Sequence, residues 1–237
     1  MLSFVVILQK LFCSMLVKTF GSAVHGISAT TVTVEVNMSQ GINFFMVGLP
    51  DNAVKESHHR IHAALNNNNL KIPGKQITIN LAPADIRKEG SAYDLTIAVG
   101  ILAASEQIKS EDVSNYIIMG ELSLDGELRP IKGTLPIAIK AKQEGFKGLI
   151  LPEENAKEAA VVDGMDVYGV SNIKQVIDFF NETATLEKTT IDIEQEFLTR
   201  LDDFEFDFND VKGQENIKRA LEIAASGGHN VILIGPP

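Results

Sequence analysis

The stretch ITINLAPADIRKEGSAYDLTIAVGILAA, residues 77–104, joins a strand pattern to a helix pattern through a short polar loop. In QITINLA (76–82) apolar and polar residues alternate, which is typical of a half-buried β-strand. The residues SAYDLTIAVGILAASEQI (91–108) are instead apolar on almost every side, so they predict a helix buried in the core. A strand followed by a buried helix indicates a sheet with helices packed against it.

Two strands and a helix are predicted before this stretch. ATTVTVEVNM (29–38) and INFFMVG (42–48) have strand character and are separated by a glycine, which predicts a hairpin. GLPDNAVKESHHRIHAAL (48–65) predicts a helix with Asp51 as its N-cap, and the run NNNN (66–69) marks its end. The apolar face of this helix would be formed by Val54, Ile61 and Leu65.

The residues after the stretch continue the alternation of strands and helices. YIIMGELSLDGELRPI (116–131) predicts two strands joined at Asp125-Gly126, a dipeptide that favours a type I′ hairpin turn. We therefore predict an α+β (mixed α/β) domain over residues 15–183, with helices packed on a mixed sheet. Its remaining elements would be a helix at about 134–145, the strand GLILP (148–152), a helix from Glu153, the strand DVYGV (166–170) and the helix NIKQVIDFFNE (172–182).

The composition of the 237 residues restricts the class of protein. Hydrophobic residues make up 45% and charged residues 22%, the usual balance of a soluble globular protein. With 21 Lys and Arg against 31 Asp and Glu, the net charge of −10 excludes a strongly basic body that binds nucleic acid by charge alone. The single Cys13 excludes a disulfide framework and a zinc ribbon. No apolar run approaches the roughly 20 residues that span a bilayer, so we expect a cytoplasmic protein without membrane contacts.

Most of the negative charge lies in one segment. Residues 187–210 hold nine acids against two bases, which is −7 of the total −10. We predict that residues 184–210 form an acidic linker. Within it, LDDFEFDF (201–208) alternates phenylalanines with acids, a period typical of an extended chain, so we expect this stretch to dock on a neighbouring domain.

The N-terminus allows two interpretations. MLSFVVILQKLFCSMLV (1–17) is apolar enough for a signal peptide, but it has no basic residue before Lys10 and no clear cleavage site. A more ordinary sequence, MLVKTFGSAVHGI, begins at Met15. We therefore interpret residues 1–14 as a start extension, with a targeting segment as the alternative.

The last residues, VKGQENIKRALEIAASGGHNVILIGPP (211–237), differ in character from the domain before them. They predict a helix that ends at Gly227-Gly228 and a buried strand, VILI (231–234). One helix and one strand bury too little surface to form a domain, so we expect the beginning of a domain that is cut within this segment. The apolar face of the helix would be formed by Ile217, Ala220, Leu221 and Ala224.

A phosphate-binding loop is one interpretation of the final turn. Gly235, Pro236 and Pro237 occupy the first three positions of the P-loop pattern G-x-x-x-x-G-K-[ST], which follows a buried strand. By pattern alone, an ordinary strand-to-loop turn also explains these three residues.

The histidines suggest a metal site only weakly. His58 and His62 are four residues apart on a predicted helix, and Glu56 and His59 lie near them. The spacing is not that of HExxH, and a third ligand is not identifiable. We favour a solvated helix face and predict no metal site.

Ser91 and the basic residues near it could carry nucleophilic chemistry, since a serine beside a desolvated lysine such as Lys88 can be activated. We favour a simpler interpretation, in which Ser91 caps the apolar helix and Asp94, in the first turn, interacts with the helix dipole. Arg87 and Lys88 could bind the carboxylate or phosphate of a partner, or lie in a solvated loop.

Four stretches in combination resemble the YifB/ComM family of magnesium-chelatase-like AAA+ ATPases of bacteria. They are FFMVGLPDNAVKES (44–57), residues 77–104, MGELSLDGELRPIKGTLPIAIKA (119–141) and residues 211–237. The resemblance covers the chain from Met15 to its end. It implies a Lon-protease-like domain (ribosomal S5 domain 2-type fold) over 15–183, and an AAA+ domain that begins at 211 and is truncated in its P-loop.

The resemblance also implies a function for the intact protein. Family members are about twice as long and would be hexameric ATPases that use ATP and Mg²⁺ and act on DNA, in branch migration of recombination intermediates during natural transformation. For this chain alone we expect neither a cofactor nor ATP turnover, and no small-molecule substrate other than ATP is implied. The nucleotide-binding residues would be Gly235, Pro236 and Pro237 in the incomplete P-loop, with Val211, Gly213 and Gln214 near adenine.

The similarity to Lon protease gives a test for peptidase activity. Aligning KEGSAYD (88–94) with Lon's nucleophile region puts Ala92 at the serine position, and aligning PIKGT (130–134) puts Leu135 at the lysine position. Neither side chain can attack a carbonyl or move a proton, so we predict no catalytic residue, as in RadA-like recombination proteins.

Two functions from other classes stay open at this point. One is a serine peptidase that uses Ser91 with Lys88 or Lys132 after a shift in register. The other is a stand-alone protein-interaction module. Insertion of magnesium into a porphyrin is not predicted, because no tetrapyrrole site is evident. The departures from the family pattern are His58 and His59, where a basic–acidic pair is expected, and the missing ATPase core.

Overall fold

The computed structural model describes residues 16–192 and 207–235 of the chain. The chain separates into two compact units, Met1–Ile191 and Asp192–Pro237. Residues 1–14, which we interpret as a start extension, lie outside the described residues. Most of the LDDFEFDF stretch, which we expect to dock on a neighbouring domain, also lies outside them.

The first unit is built on a mixed sheet. In its described part the strands are β1 (Leu16–His25), β2 (Ser28–Ser39), β3 (Phe44–Val47), β4 (Gln76–Ala82), β5 (Tyr116–Ile118), β6 (Glu121–Leu122), β7 (Leu128–Arg129), β8 (Gly148–Pro152) and β9 (Asp166–Val170). Seven of them form one sheet in the order β3-β4-β2-β1-β5-β8-β9, and β6 pairs with β7. The pairs β1–β2 and β2–β4 are antiparallel, whereas β3–β4, β1–β5, β5–β8 and β8–β9 are parallel.

Helices pack on this sheet, which confirms the predicted α+β class. They are α1 (Asn52–Asn67), α2 (Asp94–Ala104), α3 (Thr134–Glu144), α4 (Glu153–Ala160) and α5 (Ile173–Phe180). Asp51 caps α1 as predicted, because its side chain accepts a hydrogen bond from the Val54 N–H. The predicted apolar face of α1 is buried, and the helix ends within the asparagine run.

A hairpin of β1 and β2 forms the centre of the sheet, and the chain reverses at Gly26, where φ is 61°. The hairpin predicted between β2 and β3 is wrong, because β4 lies between them: Met38 and Phe44 both pair with Ile77. Pairing of β3 with β4 is parallel and joins residues that are distant in sequence. At the glycine between β2 and β3 the chain therefore passes to the other side of β4 and does not form a hairpin turn.

The β6–β7 hairpin confirms the predicted chain reversal but not its turn type. A type I′ turn needs positive φ at both central residues. Here Gly126 has φ of 92°, whereas Asp125 is not among the residues with positive φ. The Gly126 N–H donates to the Ser123 carbonyl at 3.1 Å, and the Asp125 carboxylate accepts from the Glu127 N–H at 3.2 Å. The aspartate therefore stabilises the turn through its side chain.

The predicted apolar helix is confirmed as α2, and each of its residues is buried. Gly100 permits close contact with β2, because a Cβ at this position would lie 2.7 Å from Val36 Cγ2. The opposite face of β2 carries Thr31, whose hydroxyl donates to Glu144 at the end of α3. Since alternate strand residues point to opposite faces, α2 and α3 cover the two faces of the β1–β2 hairpin.

A buried ion pair joins α1 to the first turn of α2. Arg60 donates to Asp94 with two nitrogens, Nε to Oδ2 at 2.6 Å and Nη2 to Oδ1 at 2.9 Å. The Leu122 N–H also donates to this carboxylate, at 3.3 Å. The Asp94 side chain is 0% exposed and that of Arg60 is 22% exposed. Burial raises the pKa of Asp94 against the opposing effect of Arg60, and the hydrogen bond to Asp94 raises the pKa of Arg60.

In the second unit, the helix α6 (Glu215–Gly227) ends as predicted at Gly227-Gly228, where Gly228 adopts φ of 63°. The prediction of a strand at 231–234 is wrong. These residues are described by the structure, and they pair with no strand in its described part. A strand needs a neighbour for its N–H and C=O groups, and the described part of this unit contains no other strand.

Replacing Arg60 with methionine tests the buried pair. The variant Arg60→Met leaves the Asp94 carboxylate buried without its partner, so we expect the free energy of unfolding to fall by about 3–5 kcal/mol. Urea denaturation followed by circular dichroism measures this change.

Two further variants control this experiment. The double variant Arg60→Met/Asp94→Leu should recover most of the loss, because no charge remains buried. Lys109→Met removes the exposed ion pair with Glu182 and should leave stability almost unchanged. A single Arg60→Met variant as stable as the wild-type chain would contradict the assignment.

Candidate functional site

A cavity of about 390 Å³ lies in the first unit, beside the end of β1. The loop before α2, the chain around β6 and the start of α3 form its other walls. Its apolar lining includes Val24, Met119, Ile131 and Ile137, and its polar lining includes Arg87, Ser91, Glu121 and Lys132. Apolar walls with a few polar groups are the usual composition of a binding site.

The loop before α2 is held in place from the start of α1. One carboxylate oxygen of Asp51 accepts from the Val54 N–H at 2.8 Å, and the other accepts from the Gly90 N–H at 3.0 Å. The backbone N–H of Asp51 donates to the Lys88 carbonyl at 3.0 Å, and the Lys88 N–H donates to the Leu49 carbonyl at 3.2 Å. The residue that caps α1 thus also positions one wall of the cavity.

Lys88 has a structural role in this loop. Its side chain is fully buried and its Nζ donates to the Pro83 carbonyl. Burial lowers the pKa of Lys88, and the nearby Asp85 opposes this change. Because Lys88 is buried and bonded within its own loop, the structure supports neither of its considered roles, as an activator of Ser91 or as a ligand for a partner's anion.

Ser91 lies in the cavity wall and does not cap α2. Its hydroxyl donates to the Glu121 carboxylate. The N-cap position of α2 belongs to Tyr93, and the Asp94 N–H donates to the Ser91 carbonyl at 3.1 Å. The predicted cap is therefore wrong, because a turn separates Ser91 from the helix and directs its hydroxyl towards β6. Asp94 does lie in the first turn, as predicted.

Ala92 and Leu135, the positions aligned with Lon's catalytic serine and lysine, lie in different surroundings: only Ala92 is in the cavity lining. Leu135 lies in the first turn of α3, where its N–H donates to Glu158 at 3.1 Å, and it is not part of the cavity lining. Neither side chain carries a nucleophile or a base, so these positions supply no peptidase chemistry.

The charged groups at the cavity rim are mostly paired. Arg87 Nε lies 3.3 Å from Glu89 Oε1, and Arg129 Nη1 lies 3.9 Å from Glu121 Oε1. Lys132 is exposed, and within the described residues it has neither an ion-pair partner nor a hydrogen-bonded contact with Ser91. The rim therefore offers one cation that is free to meet an acidic group.

The histidines of α1 form an aromatic cluster on its surface. The ring of His58 packs on Phe44 with a centroid distance of 4.3 Å, and His59 and His62 lie beside it. Burial first, and the two neighbouring histidines second, lower the pKa of His58. Over residues 16–192 and 207–235, His, Cys, Asp and Glu side chains form no group of three suited to a metal ion.

The predicted nucleotide-binding residues belong to the second unit. Val211 follows a short 3₁₀ helix, Phe208–Asp210, and is 42% exposed. Gly213 and Gln214 both have positive φ, 71° and 56°, and Gln214 is the N-cap of α6. Gly235 is exposed with open space around it. Pro236 and Pro237 lie outside the described residues.

Sequence patterns alone missed the roles of Arg60 and Glu121. Arg60 is a charged residue next to the buried Ile61, on the side of α1 that faces α2. Asp94 is the one charged residue in the apolar helix α2. These two isolated opposite charges were the available signal. Glu121 had no such signal, because its contact with Ser91 arises only from the pairing of β6 beside the loop.

The class of the first unit follows from its sheet and from one comparison. The chain is 32% identical to Lon protease 2 of Bacillus subtilis over 126 residues. These residues are 52% of this chain and 22% of that protein. The mixed sheet, the buried α2 and the cavity beside β1 therefore describe a Lon-like domain.

Further comparisons define the family. The family described as "Subunit ChlI of Mg-chelatase" matches residues 34–155, and "Magnesium chelatase, subunit ChlI" matches residues 207–237. The chain is 40% identical to Competence protein ComM of Haemophilus influenzae over 219 residues, 92% of this chain and 43% of that protein. It is 41% identical to the uncharacterized protein YifB of Escherichia coli over 216 residues, 91% of this chain and 42% of that protein. The chain belongs to the YifB/ComM family of magnesium-chelatase-like AAA+ ATPases, and it spans less than half the length of these curated relatives.

Within the described ranges, none of the helices combines the length and the apolar character that a membrane crossing requires.

Lys88 allows a test based on pH. Its pKa lies below the ordinary 10.5 in the folded chain, so between the two values the unfolded chain binds more protons. Stability from this group therefore rises with pH. We expect the free energy of unfolding of the wild-type chain to increase relative to that of Lys88→Met as the pH rises towards 10.5. Urea denaturation at several pH values measures the difference.

The exposed lysine gives the matched control. Lys132→Met removes one exposed ammonium group and should leave the free energy of unfolding almost unchanged, which controls for the loss of one positive charge. A constant difference between the wild-type chain and Lys88→Met over this pH range would contradict the burial of Lys88.

Ser91 allows a direct test of peptidase chemistry. Its hydroxyl donates to Glu121, and neither Lys88 nor Lys132 is bonded to it, so no lysine activates it. We expect a fluorophosphonate probe, detected by in-gel fluorescence, to leave the chain unlabelled. Labelling that disappears in Ser91→Ala but persists in Ser22→Ala, a second serine of the same cavity, would support a serine peptidase instead.

Proposed function

We propose that this chain is the N-terminal part of a cytoplasmic, hexameric, ATP-driven protein that acts on DNA. In this proposal residues 15–183 form a non-catalytic Lon-like domain, residues 184–210 are a linker, and residues 211–237 begin the ATPase domain. DNA is proposed as the substrate because the similar protein of Haemophilus influenzae is named a competence protein.

The exposure of residues 231–234 carries the ATPase part of the proposal. Val231, Ile232, Leu233 and Ile234 are 47%, 81%, 67% and 89% exposed. A continuous run of large aliphatic residues is typical of a strand buried on both faces of a parallel sheet. Such a run is stable only when further strands and helices cover it, as the sheet of an ATPase domain would.

The helix before this run also exposes large aliphatic side chains to solvent. Ile217 and Ile223 of α6 are 43% and 56% exposed, although their helix has a clear apolar side. The match of residues 207–237 to a magnesium-chelatase subunit covers both the helix and the run. These observations support α6 and residues 231–234 as the first elements of a larger nucleotide-binding domain.

The described residues near the expected nucleotide fit such a ligand. A Cβ at Gly213 or Gly235 would meet nothing within 4 Å, so the backbone is open at both positions. In the intact protein Val211, Gly213 and Gln214 would lie beside adenine, and the loop from Gly235 would present backbone N–H groups to the phosphates. Bound Mg²⁺ would supply charge neutralisation for the phosphates.

The charge distribution supports DNA contacts by the assembled protein and not by this chain alone. Residues 187–210 hold −7 of the net −10, so the rest of the chain sums to −3 and is nearly neutral. A nearly neutral body has little electrostatic affinity for a phosphate backbone. We therefore propose that DNA is contacted by the ATPase ring, and that the Lon-like domain supports assembly or binds a partner.

A chimera tests the proposal. The part of Escherichia coli YifB that follows the counterpart of Pro237 can be joined to this chain, and we expect it to complete the P-loop. We expect the chimera to hydrolyse ATP with Mg²⁺, and branched DNA to stimulate turnover several-fold. A coupled assay for ADP measures both.

Three controls interpret this result. Replacing the P-loop lysine of the added part with alanine should abolish turnover, because that lysine binds the phosphates. The present chain alone should give no magnesium-dependent turnover. Turnover by the chain alone, or an inactive but folded chimera beside active YifB, would contradict the proposal.

A further inference from the structure

The cavity lies in the plane of the sheet, where β5 stops and β1 continues. β5 pairs with β1 at Phe20, which lies opposite Ile117, and β5 ends at Ile118. β1 extends to His25 with β2 along its other edge. Among the described residues no strand covers the last part of β1 on the cavity side.

The backbone of this edge has a definite direction. Along a strand, alternate residues direct both N–H and C=O towards the same neighbour. The Ser22 N–H contacts the sulfur of Met119, the residue after β5, at 2.9 Å, so Ser22 is directed away from β2. Val24, two residues further along β1, faces the same side. The N–H and C=O of Val24 therefore face the cavity, which Val24 lines.

Two layers enclose the edge from above and below the sheet. A Cβ on Gly21 would lie 3.4 Å from Tyr93 Cδ1, and a Cβ on Gly133 would lie 2.9 Å from Val24 Cγ1. Gly21 and Val24 are an odd number of residues apart, so these neighbours lie on opposite faces of the sheet. A chain that enters between them would continue the sheet as a strand, with side chains directed alternately to the two layers.

The side chains around the edge indicate which segment would fit. Met119, Ile131 and Ile137 make an apolar lining, which suits an aliphatic side chain. Lys132 stands at the rim as an exposed cation that has no acidic partner among the described residues. A carboxylate on the incoming segment would complement it.

We propose that the cavity binds an extended polypeptide segment of a partner protein by strand addition to Val24, with an aliphatic residue and, two positions later, an acidic one. Backbone hydrogen bonds to Val24 supply affinity, and the apolar lining supplies selectivity. We expect the segment to be held and not cleaved, because Ala92 in the cavity wall is not a nucleophile and Lys88 is bonded to Pro83 and not to Ser91. This inference goes beyond the ATPase proposal and requires neither nucleotide nor DNA.

A labelled peptide tests the proposal on the full chain. The probe is fluorescein-labelled Thr-Val-Thr-Leu-Ser-Asp, and fluorescence anisotropy measures its Kd. We expect saturable binding, and a loss of at least about tenfold for the same peptide with an N-methyl group on the leucine nitrogen, because strand addition needs its backbone N–H. Equal binding of both peptides would overturn the proposal.

Variants of the chain locate the bound peptide. Lys132→Glu should raise the Kd by roughly fivefold, since an exposed attraction becomes a repulsion. Lys157→Glu changes charge equally on α4, outside the cavity lining, and should leave the Kd unchanged. Ala92→Phe should fill the cavity and abolish binding. If this variant fails to fold, the methylated peptide and Lys132→Glu still decide the outcome.

Hydrogen exchange supplies a readout at the proposed edge. On addition of the peptide, the Val24 amide should exchange at least about tenfold more slowly, whereas the Ala23 amide, directed to β2, should change little. Unchanged exchange at Val24, cleavage of the peptide, or binding of a single-stranded oligonucleotide in place of the peptide would each overturn the proposal. An inactive ATPase chimera would leave these results unaffected.

Discussion

The buried ion pair of Arg60 and Asp94 is the interaction on which the arrangement of the first unit depends. α2 is buried along its whole length, so it has no solvated face that fixes its position. Asp94 supplies the fixed point, since its carboxylate accepts from Arg60 on α1 and from the Leu122 N–H on β6. Buried charges tolerate little change in geometry, because a displaced partner leaves an uncompensated charge.

The cavity is a consequence of this fixed point and of one helix cap. Asp51 holds the loop before α2 at Gly90, and the ion pair holds the residues after it. The loop wall between them therefore has a defined position beside β1. At this wall Ala92 carries neither a nucleophile nor a base, and Val24 of β1 lines the same cavity.

The second unit presents the opposite situation. Its helix α6 ends at Gly227-Gly228 as expected, where Gly228 adopts the left-handed conformation, and it begins after Gln214, which adopts the same conformation. Ile217 and Ile223 of this helix and the aliphatic residues 231–234 nevertheless stay exposed. Local signals fix where this helix ends, but a helix of 13 residues gains most of its stability from packing, so burial of its apolar side and pairing of residues 231–234 need further elements. The ATPase proposal rests on that difference.

The sequence by itself determined the elements whose signals are local: α1 with its Asp51 cap, the alternating strand β4, the apolar helix α2 and the glycine end of α6. It also carried the family, through motifs spread over the chain. The tertiary structure alone decided that β4 lies between β2 and β3, that Ser91 binds Glu121 and does not cap α2, and that Asp94 pairs with Arg60. The physical reason is that periodicity and capping act over a few residues, whereas strand order and buried pairing depend on groups brought together from distant positions.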